Sequence, residues 1–171
     1  KIYMFTFYKK HNNKLYNKLV QLSRNKFFYQ ELKLSDNFQT RALLIFFHLA
    51  IIFKTKKNSK NKKTLQNLFD NTFQNIEIDI RELGYGDTKV NKTMKTLSKI
   101  FYDILISLDK KKFFSFSSDT VLLKKYFCNV EKTKDPVKIS KLADYLEKFQ
   151  NFCFDLDVNN MINGSIDFKY R

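Results

Sequence analysis

The chain has 171 residues, with 32 Lys and Arg against 17 acidic groups, a net charge of +15 and a sequence pI near 9.7. Hydrophobic residues make up 43%, including 19 Phe and 9 Tyr, enough to build a core and to exclude a wholly disordered chain. Three Gly and one Pro are too few for the many tight turns of an all-β protein, so the composition points to helices in one domain.

The charge is unevenly placed. Residues 1–70 carry 15 basic and 3 acidic groups, and residues 71–171 carry the remaining 17 and 14. The surplus of Lys over Arg, with abundant Asn, Phe and Ile, fits an AT-rich genome. Such drift alone does not concentrate charge in one half. Lys54, Lys56, Lys57, Lys60, Lys62 and Lys63 form the densest cluster, expected on a solvated loop that faces phosphates, whether of nucleic acid, ribosome or an acidic membrane surface.

In chain order, Leu15, Leu19 and Leu22 recur at helical spacing and predict a first helix over about 10–25. The run Ile2–Tyr8 before it is too short for a signal-peptide core and lacks small residues for cleavage. Phe27-Phe28-Tyr29 and Leu32 form a short apolar piece. Asp36 or Asn37 caps a second helix that carries the twelve-residue run Ala42–Phe53, apolar nearly all round like the centre of a bundle. That run falls short of the roughly 20 residues of a membrane span, so a soluble or peripherally bound protein is expected. Leu65, Phe69, Phe73, Ile76, Ile80 and Leu83 mark a third helix ending at Gly84. Asp87 or Thr88 then caps a fourth, with Val90, Met94, Leu97, Phe101, Ile104, Leu105 and Leu108 inside. Ser117, Ser118 or Asp119 opens a fifth through Val130. Asp135-Pro136 starts a sixth lined by Ile139, Leu142, Leu146, Phe149, Cys153 and Leu156. From about Val158 the tail shows no periodicity. The expected architecture is an all-α bundle of five to seven helices, with an N-terminal extension 1–13, a helical domain 14–157 and a C-terminal tail 158–171.

Catalytic and cofactor signatures are missing. The glycines are Gly84, Gly86 and Gly164, so no phosphate loop can be built, and no metal-ligand spacing occurs. Cys128 and Cys153 read as small buried apolar residues. Of the two histidines, His11 and His48, the second sits inside the apolar helix and reads as a hydrogen-bonded core residue. No cofactor and no metal are expected. An enzyme remains only as a reading in which carboxylates gather around His48. Around Gly84-Tyr85-Gly86 stand Asp79, Arg81, Glu82 and Asp87, either as an ion network pinning a helix hairpin or as a polar corner for a partner.

That corner carries a resemblance. Asp79-Ile80-Arg81-Glu82-Leu83-Gly84-Tyr85-Gly86-Asp87, with Val90, Lys92, Met94, Lys95 and Phe101-Tyr102 after it, is similar to the central signature of the ubiquinol–cytochrome c chaperone family. A second block agrees, running from Phe28-Tyr29 through Leu32, Leu34, Ser35 and Asp36 to Arg41, Leu44 and His48. A looser third block runs from Phe127 to Asn129, then from Asp135-Pro136 to Leu142, Tyr145 and Leu146. Together they cover roughly residues 14–157. Ser35, Thr40, Phe53-Lys54 and Asp103 depart from the family pattern at turn and flanking positions.

The resemblance implies a non-enzymatic assembly factor that binds newly made cytochrome b and promotes assembly of the respiratory bc1 complex (complex III). It also implies a small partner protein, a ribosome contact, and a position on the inner face of the inner membrane, the matrix side in organellar relatives. Client or partner contacts are expected at Arg41, His48, Asp79, Arg81, Glu82, Tyr85 and Asp87, and a membrane or ribosome surface at the lysine cluster. Exposed aromatic side chains among Phe27, Phe28, Phe113, Phe114 and Phe116 would add adhesive contacts. The rival reading is a ribosome- or RNA-binding helical module, resting on the basic N-terminal half; it lacks interleaved Arg and any recognised RNA-binding motif.

Overall fold

A helix without a polar face needs partners all around it, and that requirement organises the bundle. The computed structural model describes residues 14–128 and 135–170. The expected extension 1–13 with His11, and the stretch 129–134 with Asn129 and Val130, lie outside the described residues. Among these residues the chain forms seven α-helices and no strand: α1 (Lys14–Ser23), α2 (Phe38–Lys56), α3 (Lys62–Glu82), α4 (Asp87–Asp109), α5 (Val121–Leu123), α6 (Pro136–Asp155) and α7 (Val158–Ile162).

The central helix is α2, and it packs on α1, α4 and α6. Twelve of its 19 residues are buried, including every position from Ala42 to Ile52. By length and composition it could cross a membrane, yet 67% of its most apolar window is buried within this fold. Residues two apart on a helix project about 200° apart, so Phe46 and His48 face opposite sides. Phe46 stacks on Phe73 with centroids 5.5 Å apart and meets Phe101 edge-on at 5.7 Å. On the far side the His48 ring lies edge-on to Phe149 at 4.7 Å and to Tyr145 at 5.6 Å. Two aromatic layers thus sandwich α2, one from α3 and α4 and the other from α6.

Local signals set most boundaries. Asn37 caps α2, its side chain accepting from Thr40 N–H at 2.9 Å. Asp135 caps α6 through Val137 N–H, with Pro136 at the first helical position. Gly84 closes α3 with φ +84°, the left-handed conformation that glycine adopts freely.

Four expectations are corrected. The N-cap of α4 is Gly86, so Asp87 is its first helical residue, placed to favour the helix dipole. The fifth helix breaks after one turn: α5 passes into a π-helical turn, Lys124–Cys128. The lysine stretch is not all loop, because α2 continues to Lys56 and α3 begins at Lys62. The C-terminal segment is ordered against the core. After α7, Ile166 is fully buried, and Tyr170 packs on Phe27 and Tyr145 at 4.6 and 5.2 Å.

The link between α4 and α5 is held from a distance. Glu147 of α6 accepts from Phe116 N–H at 2.6 Å, from Ser115 Oγ at 3.1 Å and from Ser117 N–H at 3.3 Å. One carboxylate thereby satisfies three donors of an irregular segment, among them the N–H of buried Phe116. Phe114 and Phe116 are buried beside it, as are Phe27 and Phe28 elsewhere. Of the five aromatic residues expected as adhesive, only Phe113 is exposed. Cys153 is buried and Cys128 half-buried; both are free thiols.

Candidate functional site

At the N-terminal end of α2 the bundle opens into a groove of about 440 Å³. Its sides are α1, the segment entering α2, and the last two turns of α3. Its apolar floor comes from Val20, Phe38, Ala42, Ile45 and Ile76, with Leu83 at the lip. Arg24, Arg41, Asp36, Asp79 and Glu82 stand around it. Three residues singled out in the sequence, Arg41, Asp79 and Glu82, therefore meet here from two helices.

Each charged group has a physical anchor. Asp36 does not cap α2; it grips Arg41 with both carboxylate oxygens, from Nε at 2.6 Å and from Nη2 at 2.9 Å. This two-pronged bond holds the Asp36 carboxyl below its ordinary range and raises Arg41. Tyr16 of α1 donates to Asp79 Oδ2 at 2.6 Å, tying the first helix to the third. Glu82 is exposed, and Leu83 is 55% exposed at the lip.

The corner beyond the groove uses different partners. Arg81 donates from Nε and Nη2 to Glu77 Oε1 at 3.0 and 2.8 Å, and from Nη1 to Asp87. Asp79 and Glu82 turn toward the groove instead of joining this network. Lys89 sits 3.8 Å from the centroid of the half-exposed Tyr85 ring. All three members of the Arg81 network are well exposed, and exposed ion pairs contribute little. Arg81→Ala is expected to leave the melting temperature within about 2 °C, followed by circular dichroism. A larger drop would make the network structural.

His48 is brought to neither place. It is 0% exposed in the core. Nδ1 lies 2.6 Å from the Leu44 carbonyl, which only accepts, so Nδ1 carries the proton. Nε2 then accepts from the Tyr145 hydroxyl at 2.9 Å. Burial pushes the His48 pKa down to about 4 and raises the Tyr145 phenol. A neutral histidine between a carbonyl and a phenol is a core residue with satisfied bonds. The carboxylate cluster that an enzyme reading needs around His48 is not found among the described residues.

The lysine cluster divides in two. Lys54 donates to the Lys111 carbonyl at 2.9 Å, and Lys56 to the Phe154 carbonyl at 3.1 Å. Lys57 binds Asp109 at 2.5 Å. These three cross-link the C-terminal ends of α2, α4 and α6, where helix carbonyls lack partners. Lys60, Lys62 and Lys63 are exposed. The groove has no signature in the sequence as a cavity. Its sequence signal was the pairing of Asp36 with Arg41 across a helix start, which reads as capping when no depth is visible.

The bundle thus presents an apolar, charge-rimmed groove at the N-terminal end of α2. The sequence matches the family described as ubiquinol–cytochrome C chaperone over residues 30–168. No curated protein matches it. The fold is similar to the crystal structure of the Cbp3 homolog from Brucella abortus, with a TM-score of 0.69 and 21% identity, covering 92% of this chain and 87% of that one. The chain belongs to the ubiquinol–cytochrome c chaperone family, and so is by class a chaperone of bc1 complex assembly, which implies no catalytic activity.

Proposed function

We propose that this protein holds newly made cytochrome b through the groove between α1, α2 and α3 and passes it into the growing bc1 complex. The observation that carries this reading is the combination within the groove. An apolar floor receives part of a membrane-protein segment, while Arg24, Arg41, Asp79 and Glu82 meet the polar groups flanking it. The family supports a bc1 client, and a holdase needs an accessible apolar surface, of which Leu83 is the outermost part. The protein acts on the inner face of the inner membrane, where this client is inserted, with a small partner assembly protein and the ribosome as further contacts.

The test is deletion of the gene in its host, with cytochrome b read by immunoblot and bc1 by its spectrum. Selective loss of cytochrome b is expected, with other respiratory complexes intact. Complementation by wild type restores it; complementation by Leu83→Glu does not. A buried charge costs enough to reduce recovered client by about tenfold, while the exposed position leaves the melting curve unchanged. Normal cytochrome b in the deletion strain would overturn the proposal.

A further inference from the structure

One stretch of the chain departs from its basic character. The sequence holds 28 lysines, yet none falls between Lys63 and Lys89, its longest lysine-free run. Those 25 positions carry five carboxylates, Asp70, Glu77, Asp79, Glu82 and Asp87, against the single cation Arg81. They make up nearly all of α3 and the turn into α4. From Thr64 onward α3 is thus an acidic element in a protein of net charge +15, and its last two turns line the groove.

Within the groove this charge has a direction. Arg81 is engaged elsewhere, bound to Glu77 and Asp87 at the corner. Asp79 lines the groove and is held there by the Tyr16 hydroxyl. Glu82 lines it too, exposed and without an ion pair among the described residues. α3 also ends here, with Leu83 as its C-cap, so the negative end of the helix dipole adds to both carboxylates. On the α1 side Arg24 is exposed and makes no ion pair among the described residues, whereas Arg41 is held by Asp36. One wall of the groove is therefore anionic and the other cationic, with the apolar floor between them.

Membrane-spanning segments carry a matching asymmetry, because their cytoplasmic flanks are enriched in Lys and Arg. We infer that the groove selects the positively charged flank of a membrane segment. The flank's lysines or arginines sit against Asp79, Glu82 and the end of α3, and the adjoining apolar residues lie on the floor. The inference rests on the proposed client-binding role of the groove and adds which part of the client is held. At about 440 Å³ the groove is near the lower end of the roughly 300–1,000 Å³ of ligand sites, so it admits one flank and not a whole span. Over most of the remaining surface the protein's own lysines repel such a flank, so the anionic wall sets the place of binding. Arg24 sets the direction, since a reversed segment brings its cations to a cation.

Two fluorescent peptides test this, each an apolar run of Leu and Ala, one ending in three lysines and the other in three glutamates. Their binding to the full chain is read by anisotropy at low salt. Bulk charge alone favours the glutamate peptide on a protein of +15. The lysine peptide is instead expected to bind about tenfold more tightly. E82K should shift the ratio toward the glutamate peptide by about tenfold, with an unchanged melting curve because Glu82 is exposed. L83S removes apolar surface at the lip without adding charge, and should weaken both peptides alike, by about fivefold. Equal binding, preference for the glutamate peptide, or a ratio that E82K leaves unchanged overturns the inference. If L83S still weakens both peptides in that case, the groove stands as a client site. No binding of either peptide, or binding that L83S leaves intact, overturns both readings.

Discussion

Replacing His48 with Ala is expected to cost about 2–4 kcal/mol, or roughly 5–15 °C in melting temperature. The loss has two parts. A cavity opens between the aromatic layers, and the Tyr145 hydroxyl loses the acceptor it meets at 2.9 Å. The same variant should remove a pH dependence. His48 has a folded pKa of about 4 against an ordinary value of 6.5. The unfolded chain therefore takes up a proton that the folded chain refuses. Stability from this residue is full above pH 6.5 and falls as the pH drops toward 4, by about 3 kcal/mol in all. The carboxyls of Asp36, Asp103, Asp119 and Asp144 are held below their ordinary value, so their contributions are lost mainly below about pH 4. Urea unfolding at pH 7, 6 and 5 separates the two groups. Wild type should weaken steadily over that range and His48→Ala should not. Equal slopes would show that His48 titrates normally.

Gly164→Ala should cost about 2 kcal/mol, and Gly84→Ala only about 1 kcal/mol, although both glycines have positive φ. The difference lies in what surrounds each one. A Cβ on Gly84 meets nothing within 4 Å, so only the backbone penalty remains. A Cβ on Gly164 would sit 2.9 Å from the Lys14 carbonyl oxygen, at the start of α1. Backbone there must move, and it carries Ile166, Phe168 and Tyr170 away from the core. Denaturant midpoints measure both costs, and amide exchange at Ile166 reports the docking. Equal costs, with Ile166 still protected, would show that α1 yields without loss.

The bundle was legible because its strongest signals are local. Asn37, Gly84 and Asp135-Pro136 mark ends by chemistry acting within a turn. The all-round apolar Ala42–Phe53 run has one physical solution, burial at the centre. What escaped the sequence depends on distant partners. Glu147 stabilises Ser115–Ser117 from about thirty residues away, so its role has no periodic trace. Phe27, Phe28, Phe114 and Phe116 occupy short irregular segments, where spacing does not distinguish inward from outward. Ile166, Phe168 and Tyr170 alternate over too few residues to show a period, and their surface is made by distant residues, Phe27 before α2 and Tyr145, Phe149 and Phe152 on α6. At the site, Arg41, Asp79 and Glu82 were legible as residues but not as one groove, because their meeting requires α3 to fold back along α2. The lysines looked uniform because charge carries no direction in sequence. Lys54 and Lys56 belong to a helix end, and their long stems let them reach neighbouring carbonyls.

The central position of α2 also imposes an order on synthesis. Its partners α4 and α6 come later in the chain, and α6 begins about 80 residues after α2 ends. At roughly 5–20 residues per second, the ribosome needs on the order of 4–16 s to supply it. For that interval the α6-facing side of a helix that meets the length and hydropathy of a membrane span stays uncovered. His48 lowers the hydropathy of that segment while it waits. A His48→Leu variant would raise the hydropathy of that segment while its α6 side is uncovered, so its failure would appear as misdirected nascent chain before any loss of stability in the finished fold.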